Sequence, residues 1–278
     1  MPKGNEQSQE LAFQSINLVP REAKPRTRGL TYARDQGIGT KQTEALLEGV
    51  GEYIDILKLA GFGVRMQSKK ALAEKVAVCA EHNVDVGLGG ALLELALLQG
   101  GDSVTRFLGE VSEAGISHIE VCAQITIIPV DDLLELMDYV KSFGIKPIAE
   151  VGVAYGISEQ EEIEVDVTRL LNTFKQFEEA GAWMLLLESE GITESVKPEN
   201  RRWDIVSKVA GSFPLDRIMF EADDKDVYTH YIKNYGPEVN LFVDRRKIMS
   251  LEGTRRGGWG KHPVVNRVAA FTRSRNRK

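Results

Sequence analysis

The sequence predicts one α/β domain, a single (β/α)8 barrel of the TIM type, and three observations carry that expectation. Apolar runs too short to cross a membrane alternate with helix-period segments about eight times along the chain. Several runs are apolar on both faces, as strands of a helix-covered parallel sheet are; Trp183 to Leu187 is the clearest. Most runs also stop at an acid: Asp35, Glu120, Glu150, Glu188 and Glu221 lie at or just before predicted strand ends. The C-terminal strand ends are where such barrels keep their active sites.

The elements follow in order. Residues 1–27 are mostly polar and read as an N-terminal arm or a flap on the barrel. Strand one spans Arg28 to Asp35, and Thr40 to Gly51 is a helix with Ala45, Leu46 and Val50 on one face. Strand two spans Tyr53 to Leu59. Ser68 is the expected N-cap of a helix from Lys69 to His82. Strand three is Val84 to Gly87, followed by Gly89-Gly90 and an apolar helix, and Asp102 is placed to cap another. Strand four is His118 to Cys122, with a helix from Asp131 to Phe143 stopped by Gly144. Strand five starts at Lys146, and Glu164 to Ala180 is amphipathic, with Leu170, Phe174 and Phe177 on one side. After strand six, Asn200 to Ala210 is a helix. Strand seven starts at Arg217, Asp226 to Tyr235 is a helix, strand eight is Val239 to Val243, and Arg246 to Arg256 is the last helix. The barrel is expected over 28–262 and a basic tail over 263–278.

At 278 residues the chain suits one such barrel, and no Pro/Gly/Ser-rich linker divides it. The net charge of −6 argues against general nucleic-acid or membrane-surface binding. Two cysteines, Cys79 and Cys122, make no disulfide framework. The start lacks the apolar core of a signal peptide, so a soluble cytoplasmic protein is the expectation.

Acids around one mouth repel one another unless a cation neutralises them. Asp35, Glu120, Glu150, Glu188 and Glu221 offer hard oxygen ligands without a His or Cys cluster, a set that suits Mg2+. The alternative is ion pairing with Lys58, Arg34 and neighbouring bases. Lys58 ends strand two and is placed to balance the acids or hold a phosphate or carboxylate. Gly89 and Gly90 open a helix whose N–H groups are candidates for an anion. Arg255, Arg256 and Gly257 follow strand eight, where many barrels bind phosphate, although a basic helix C-terminus explains them equally well. Cys122 has no histidine placed to activate it, and His82, His118, His230 and His262 lack ligand spacing. Trp203 and Trp259 are read as packing groups.

An ordered series of short motifs resembles one family. It runs through Arg28 to Thr31 (RGLT) with Asp35 and Gly37, Asp55 to Lys58 (DILK), Gly89-Gly90 with Glu94, and Ile119-Glu120. It continues through Glu150 to Gly152 (EVG), Glu188, Phe220 to Ala222 (FEA) with Lys225, Val239 to Leu241 (VNL), and Ser250 to Glu252 (SLE) with Arg255, Arg256 and Gly257. Over about residues 24–260 this is similar to the phosphosulfolactate synthase family, which also holds plant heat-stress-associated members. The resemblance implies a (β/α)8-type barrel and Mg2+-dependent addition of sulfite to phosphoenolpyruvate, as in coenzyme M biosynthesis. Lys58, Glu150 and Glu188 are the catalytic candidates. Asp35, Gly89, Gly90, Lys225, Arg255, Arg256 and Gly257 are the candidates for contacts to a small anionic substrate, with Arg65 as an added charge. A homo-oligomer is expected.

The chain departs from the family pattern within the mouth. Gln36 stands where the family has lysine, and Cys122-Ala123-Gln124 replaces Ser-Asp-Gly. Val153-Ala154 replaces a lysine expected to protonate the forming carbanion, and Ser189-Glu190 follows Glu188 in place of arginine. Trp259 stands where a further arginine is usual, and Arg245 is a second added charge. Losing one charged partner in a closed site costs roughly 2–5 kcal/mol. Two readings follow: a lyase that joins a less anionic nucleophile to a phosphorylated acid, and a barrel that only binds, in stress protection or otherwise.

Overall fold

The computed structural model describes residues 11–13, 15, 16, 18–152 and 166–258. Eight parallel strands close on themselves in sequence order, β1 pairing with both β2 and β8. They are β1 (Thr31–Asp35), β2 (Ile56–Leu59), β3 (Asp85–Leu88), β4 (His118–Val121), β5 (Lys146–Val151), β6 (Met184–Leu187), β7 (Ile218–Glu221) and β8 (Asn240–Asp244). The helices are α1 (Thr40–Val50), α2 (Lys69–Glu81), α3 (Ala91–Gln99), α4 (Ser103–Glu113), α5 (Val130–Ser142), α6 (Val167–Glu179), α7 (Trp203–Ser212), α8 (Lys225–Tyr235) and α9 (Ile248–Arg255).

Alternation along the strands divides the core in two. Leu30, Tyr32, Ile56, Ile148, Met184, Leu186, Met219 and Phe242 fill the barrel interior. Ala33, Leu57, Leu59, Ala149, Leu185, Leu187, Phe220 and Leu241 face outward, into the layer that receives the helix stripes. On α5 that stripe is Leu133, Leu136, Met137 and Val140; on α6 it is Leu170, Phe174 and Phe177. Both strand faces are dry, which is why these strands read as continuous apolar runs. Each fully buried side chain of this kind contributes about 1.5–3 kcal/mol.

Several boundaries shift from the sequence reading, each for a local reason. β1 starts three residues later than Arg28, because the amides of Leu30 and Thr31 are held by the Asn240 and Asp55 side chains and not by a ladder. Tyr53 belongs to a 3-10 turn, Gly51–Tyr53, ahead of β2. The helix expected from Asn200 starts at Trp203, since Pro198–Asn200 forms a separate 3-10 turn and Arg201 is extended. Asp244 accepts from the Arg246 amide at 2.9 Å, making a turn over Arg245–Lys247 before α9. Ser68 caps α2, its hydroxyl accepting from the Ala71 amide at 3.1 Å. Asp102 precedes α4 without a side-chain cap bond and pairs with Arg106 instead.

The N-terminal end of the barrel is tied together by cations and amides. Arg26 pairs with Asp55 at 3.0 Å and Arg21 with Glu252 at 3.2 Å, so residues 21–26 of the arm are tied to this end, while Leu11, Phe13 and Ile16 stay exposed. Asn240 donates to the carbonyls of Leu215, Asp216 and Ile218. His118 is buried, edge-on to Trp183 at 4.3 Å, and desolvation pushes its pKa down to about 3. It is therefore neutral, and its approach to Asp85 is no ion pair. No helix among the described residues is long and apolar enough to cross a membrane.

Candidate active site in the barrel mouth

The upper interior is built by the same alternation. Above Tyr32, β1 turns Arg34 inward, and above Ile56, β2 turns Lys58 inward; the register sets these two cations side by side. Across from them, Glu120, Glu150, Glu188 and Glu221 come from β4 to β7. The mouth is thus bipolar, with a cationic arc from β1 and β2 facing an acidic arc.

Strand β3 explains how the arcs touch. It offers Gly87 and Gly89 to the interior, and a Cβ on Gly87 would lie 2.8 Å from the Tyr32 hydroxyl. The space left empty lets Lys58 reach past β3 to Glu120, at 2.6 Å. The Lys58 ammonium also lies 4.3 Å from the centre of the Phe242 ring. Burial by itself would lower its pKa, but Glu120, Glu150 and Glu221 outweigh that and raise it, so it stays charged. On the other side Arg34 donates to Glu221 at 2.8 Å and also pairs with Asp223.

Glu188 hydrogen-bonds to both Glu150 and Glu221, joining three buried carboxyls in a row. Desolvation, then the neighbouring Glu120 charge, raises Glu150 to about 7. Desolvation and Glu188 raise Glu221 to about 8. Glu120 is also raised by burial, against the pull of Lys58. Burial and mutual repulsion thus favour the protonated forms of Glu150 and Glu221, beside the pairs that Lys58 makes with Glu120 and Arg34 with Glu221 and Asp223.

Among the described residues, four backbone N–H groups of the mouth are held by the chain's own carboxylates. Glu120 accepts from Gly90 at 3.3 Å, Glu221 from Ser189 at 3.4 Å, Asp223 from Asp244, and Glu194 from Asp224. Glu94, buried on α3, accepts from the amides of Gln124, Ile125 and Thr126 and so fixes the β4–α5 loop.

A cavity of about 540 Å³ opens beside this row, between the β4–α5 loop and α6. Glu150 and Cys122 lie at its barrel end, Ile125, Ile127 and Ile128 of the loop border it, and Leu133, Leu170 and Phe177 of the core lie beneath it with little exposed surface. Glu150 thus belongs to both the acid row and the cavity.

Lys58, Glu120, Glu150, Glu188 and Glu221 are brought together; other expected site residues are not. Asp35 faces the helix layer, where it pairs with buried Lys75 of α2 at 2.7 Å and accepts from the amides of Gly37 and Ile38. It cannot share a cation with the glutamates, because adjacent strand residues point to opposite faces. Arg255 is at the other end of the barrel, donating to the carbonyls of Val239 and Leu30, and of Pro237. Arg256 is there too, paired with Glu252 at 2.7 Å and beside the Tyr53 ring. Gly257 follows them with φ 76°, ending α9. These three hold the closed barrel and do not face the mouth. Gly89 and Gly90 are at the mouth, but Gly89 makes room for Lys58 and the Gly90 amide is taken by Glu120. Arg65 and Lys225 are exposed beyond β2 and β7. Val153 to Tyr155 and Trp259 lie outside the described residues.

Two interior groups were not singled out from the sequence as site residues. Arg34 was legible, since alternation along Thr31–Asp35 already turns it, and not Asp35, inward. Asp223 had no such signal, because it lies in a loop.

Comparison with known proteins agrees with this geometry at the level of family. Residues 19–261 match the family model described as (2R)-phospho-3-sulfolactate synthase (ComA). The chain is 28% identical over 243 residues to a phosphosulfolactate synthase of Methanothermobacter thermautotrophicus, covering 86% of this chain and 92% of that one. It is 26% identical over 261 residues to the protein HEAT-STRESS-ASSOCIATED 32 of Arabidopsis thaliana, covering 87% and 90%. Among solved structures, the carboxyl transferase domain of Rhizobium etli pyruvate carboxylase with oxamate and biotin superimposes with a TM-score of 0.57 at 13% identity, over 88% of this chain and 46% of that one. The 3-hexulose-6-phosphate synthase of Salmonella typhimurium gives 0.53 at 12%, over 82% and 99%. Those two share the fold alone. The span of the family match and the order of its motifs around the barrel establish that this chain belongs to the (2R)-phospho-3-sulfolactate synthase (ComA) family.

Proposed function

We propose that the chain is a synthase-like lyase that adds a nucleophile to phosphoenolpyruvate or a related phosphorylated acid, with a second substrate less anionic than sulfite. The observation that carries this reading is the place of Glu150, between the row of buried carboxyls and a cavity large enough for a second reactant. Lys58 faces the carboxylate of the acid, the part of the substrate next to which charge develops. Glu150 delivers the proton to the carbon left electron-rich by the addition. Arg65 and Lys225, exposed beyond β2 and β7, and Arg245, after β8, are candidate cations for the phosphate.

Among the described residues no three acids are placed to hold a metal ion together, so Mg2+ would rest on two carboxylates with water and substrate oxygens completing its shell, a mode it commonly uses. Glu188 and Glu221 would hold it, with Glu120 and Glu150 beside them. When bound it would stabilise enolate-like charge. Asp35, held by Lys75, is not among the ligands.

Sulfite is disfavoured by the same electrostatics. Lys58 and Arg34 are each already paired, and the amides of Gly90 and Ser189 are occupied by carboxylates. The test is incubation with phosphoenolpyruvate, Mg2+ and a panel of nucleophiles, read by mass spectrometry beside an authentic synthase. The expected result is an adduct with a neutral nucleophile and negligible phosphosulfolactate. A sulfite rate within about tenfold of the authentic enzyme overturns the change of substrate. No adduct with any nucleophile favours a barrel that only binds.

A further inference from the structure

Most cations around the mouth already have a carboxylate. Lys58 pairs with Glu120, Arg34 with Glu221 and Asp223, and Arg246 with Asp244 at 2.8 Å. Many barrels hold phosphate at the loops after strands seven and eight. Here that gap is filled from within, because the Asp223 carboxylate accepts from the Asp244 amide and the Asp244 carboxylate from the Arg246 amide. The other side of β8 differs. β1 and β8 pair in register up to Arg34 and Asp244, so the next residues, Asp35 and Arg245, are neighbours across the seam. Arg245 Nε is 3.8 Å from Asp35 Oδ1, beyond hydrogen-bonding distance. Asp35 is already satisfied: Oδ2 takes the buried Lys75 ammonium at 2.7 Å, and Oδ1 takes the amides of Gly37 and Ile38 at 3.0 and 2.9 Å. Asp35 and Lys75 cancel, so Arg245 leaves one net positive charge at this seam. Its side chain is 27% exposed, against 68% for Arg246 beside it, so it is held in place and still meets solvent. Among the described residues none accepts a hydrogen bond from its guanidinium.

The geometry points to Arg245 as a phosphate-binding residue at the β8–β1 seam, with the Asp35–Lys75 pair as its neutral, buried support. A guanidinium fork donates to two phosphate oxygens in parallel. Its nearest nitrogen to Asp35 is Nε, which leaves both Nη atoms farther from that carboxylate and open to a ligand. Arg65 and Lys225 are exposed, so an anion would have to order them against solvent screening, whereas Arg245 is already placed. The molecule that carries the phosphate rests on the lyase reading above: there it is the phosphorylated acid, and Lys58 is left for its carboxylate. The site itself does not depend on that reaction.

Calorimetric titration of the whole chain with inorganic phosphate, phosphoenolpyruvate and pyruvate tests this. The first two should bind at least about tenfold more weakly to Arg245→Met and to Arg245→Gln, the loss expected for hydrogen bonds to a charged group. Arg245→Lys, which keeps the charge without the fork, should lose less. Arg106→Met removes an exposed charge on α4 and should change phosphate affinity by no more than about twofold. Pyruvate, which has the carboxylate and no phosphate, should bind the Arg245 variants as it binds the unaltered protein. The assignment is overturned if the unaltered protein binds no phosphate, or if whichever of the Met and Gln variants folds binds it unchanged. An equal loss in Arg106→Met, or an equal loss for pyruvate, also overturns it. Phosphate binding that needs Arg245 in a protein that forms no adduct sinks the lyase reading alone. Adduct formation with phosphate affinity untouched at Arg245 sinks this assignment alone.

Discussion

Arg34 and Asp35 are neighbours with unrelated work. Arg34 faces the barrel interior and pairs with Glu221 and Asp223, while Asp35 closes the contact between β1 and α2 through Lys75. The side-chain period of a strand makes the difference. His118 is the residue whose titration is easiest to isolate. Its folded pKa of about 3 lies below the unfolded value of about 6.5. It therefore contributes stability that is present above pH 6.5 and is lost as pH falls from there towards 3. Glu150 and Glu221, raised to about 7 and about 8, act with the opposite sign and lose their contribution as pH rises through those values. Urea unfolding of the protein and of His118→Gln should separate the two. Between pH 6 and pH 4 the stability difference between them should fall by about 1.4 kcal/mol per unit. Parallel curves would mean that the imidazole is protonated without cost.

At the scale of the element, the β3–α3 turn and α9 show how much of the motif series is structural. Gly90 has an ordinary φ, yet a Cβ there would lie 2.3 Å from the Cys122 sulfur and 3.0 Å from the Glu120 carbonyl. Gly90→Ala should cost about 1–3 kcal/mol by overpacking, part of it recovered with Cys122→Ala, measured by denaturant midpoint. Additive costs would show that the sulfur is not the obstacle. Arg255 of α9 clamps the seam between β1 and β8 by donating to Leu30 and Val239. Arg255→Met leaves buried carbonyls unsatisfied and should lower stability by about 3 kcal/mol. It should leave phosphoenolpyruvate affinity unchanged, because the clamp is at the end of the barrel away from the mouth. A selective loss of substrate binding with normal stability would return Arg255 to the site.

For the whole molecule, the charge pattern of the closed barrel sets the expectation for metal. Acids from four strands and cations from two meet only because the sheet closes. Calorimetric titration of EDTA-treated protein with Mg2+ should give one site at pH 8, lost in Glu188→Gln. Heat that survives Glu188→Gln places the ion elsewhere, and none at all leaves the row to protons.

The sequence alone determined the architecture, since apolar runs, acid-ended strands and glycine stops each follow local rules of burial and turn formation. It also put Glu120, Glu150, Glu188 and Glu221 at one end of the barrel, because each lies near the C-terminal end of its own strand. Only the tertiary structure decided that Lys58 reaches Glu120 across an empty β3, that Glu188 joins two other carboxyls, and that Asp35 and Arg255 are spoken for elsewhere. Those facts depend on distances between strands far apart in the chain and on which of two faces a residue takes. The proton affinities of the row follow from burial and from neighbours dozens of positions away, which one-dimensional spacing does not encode.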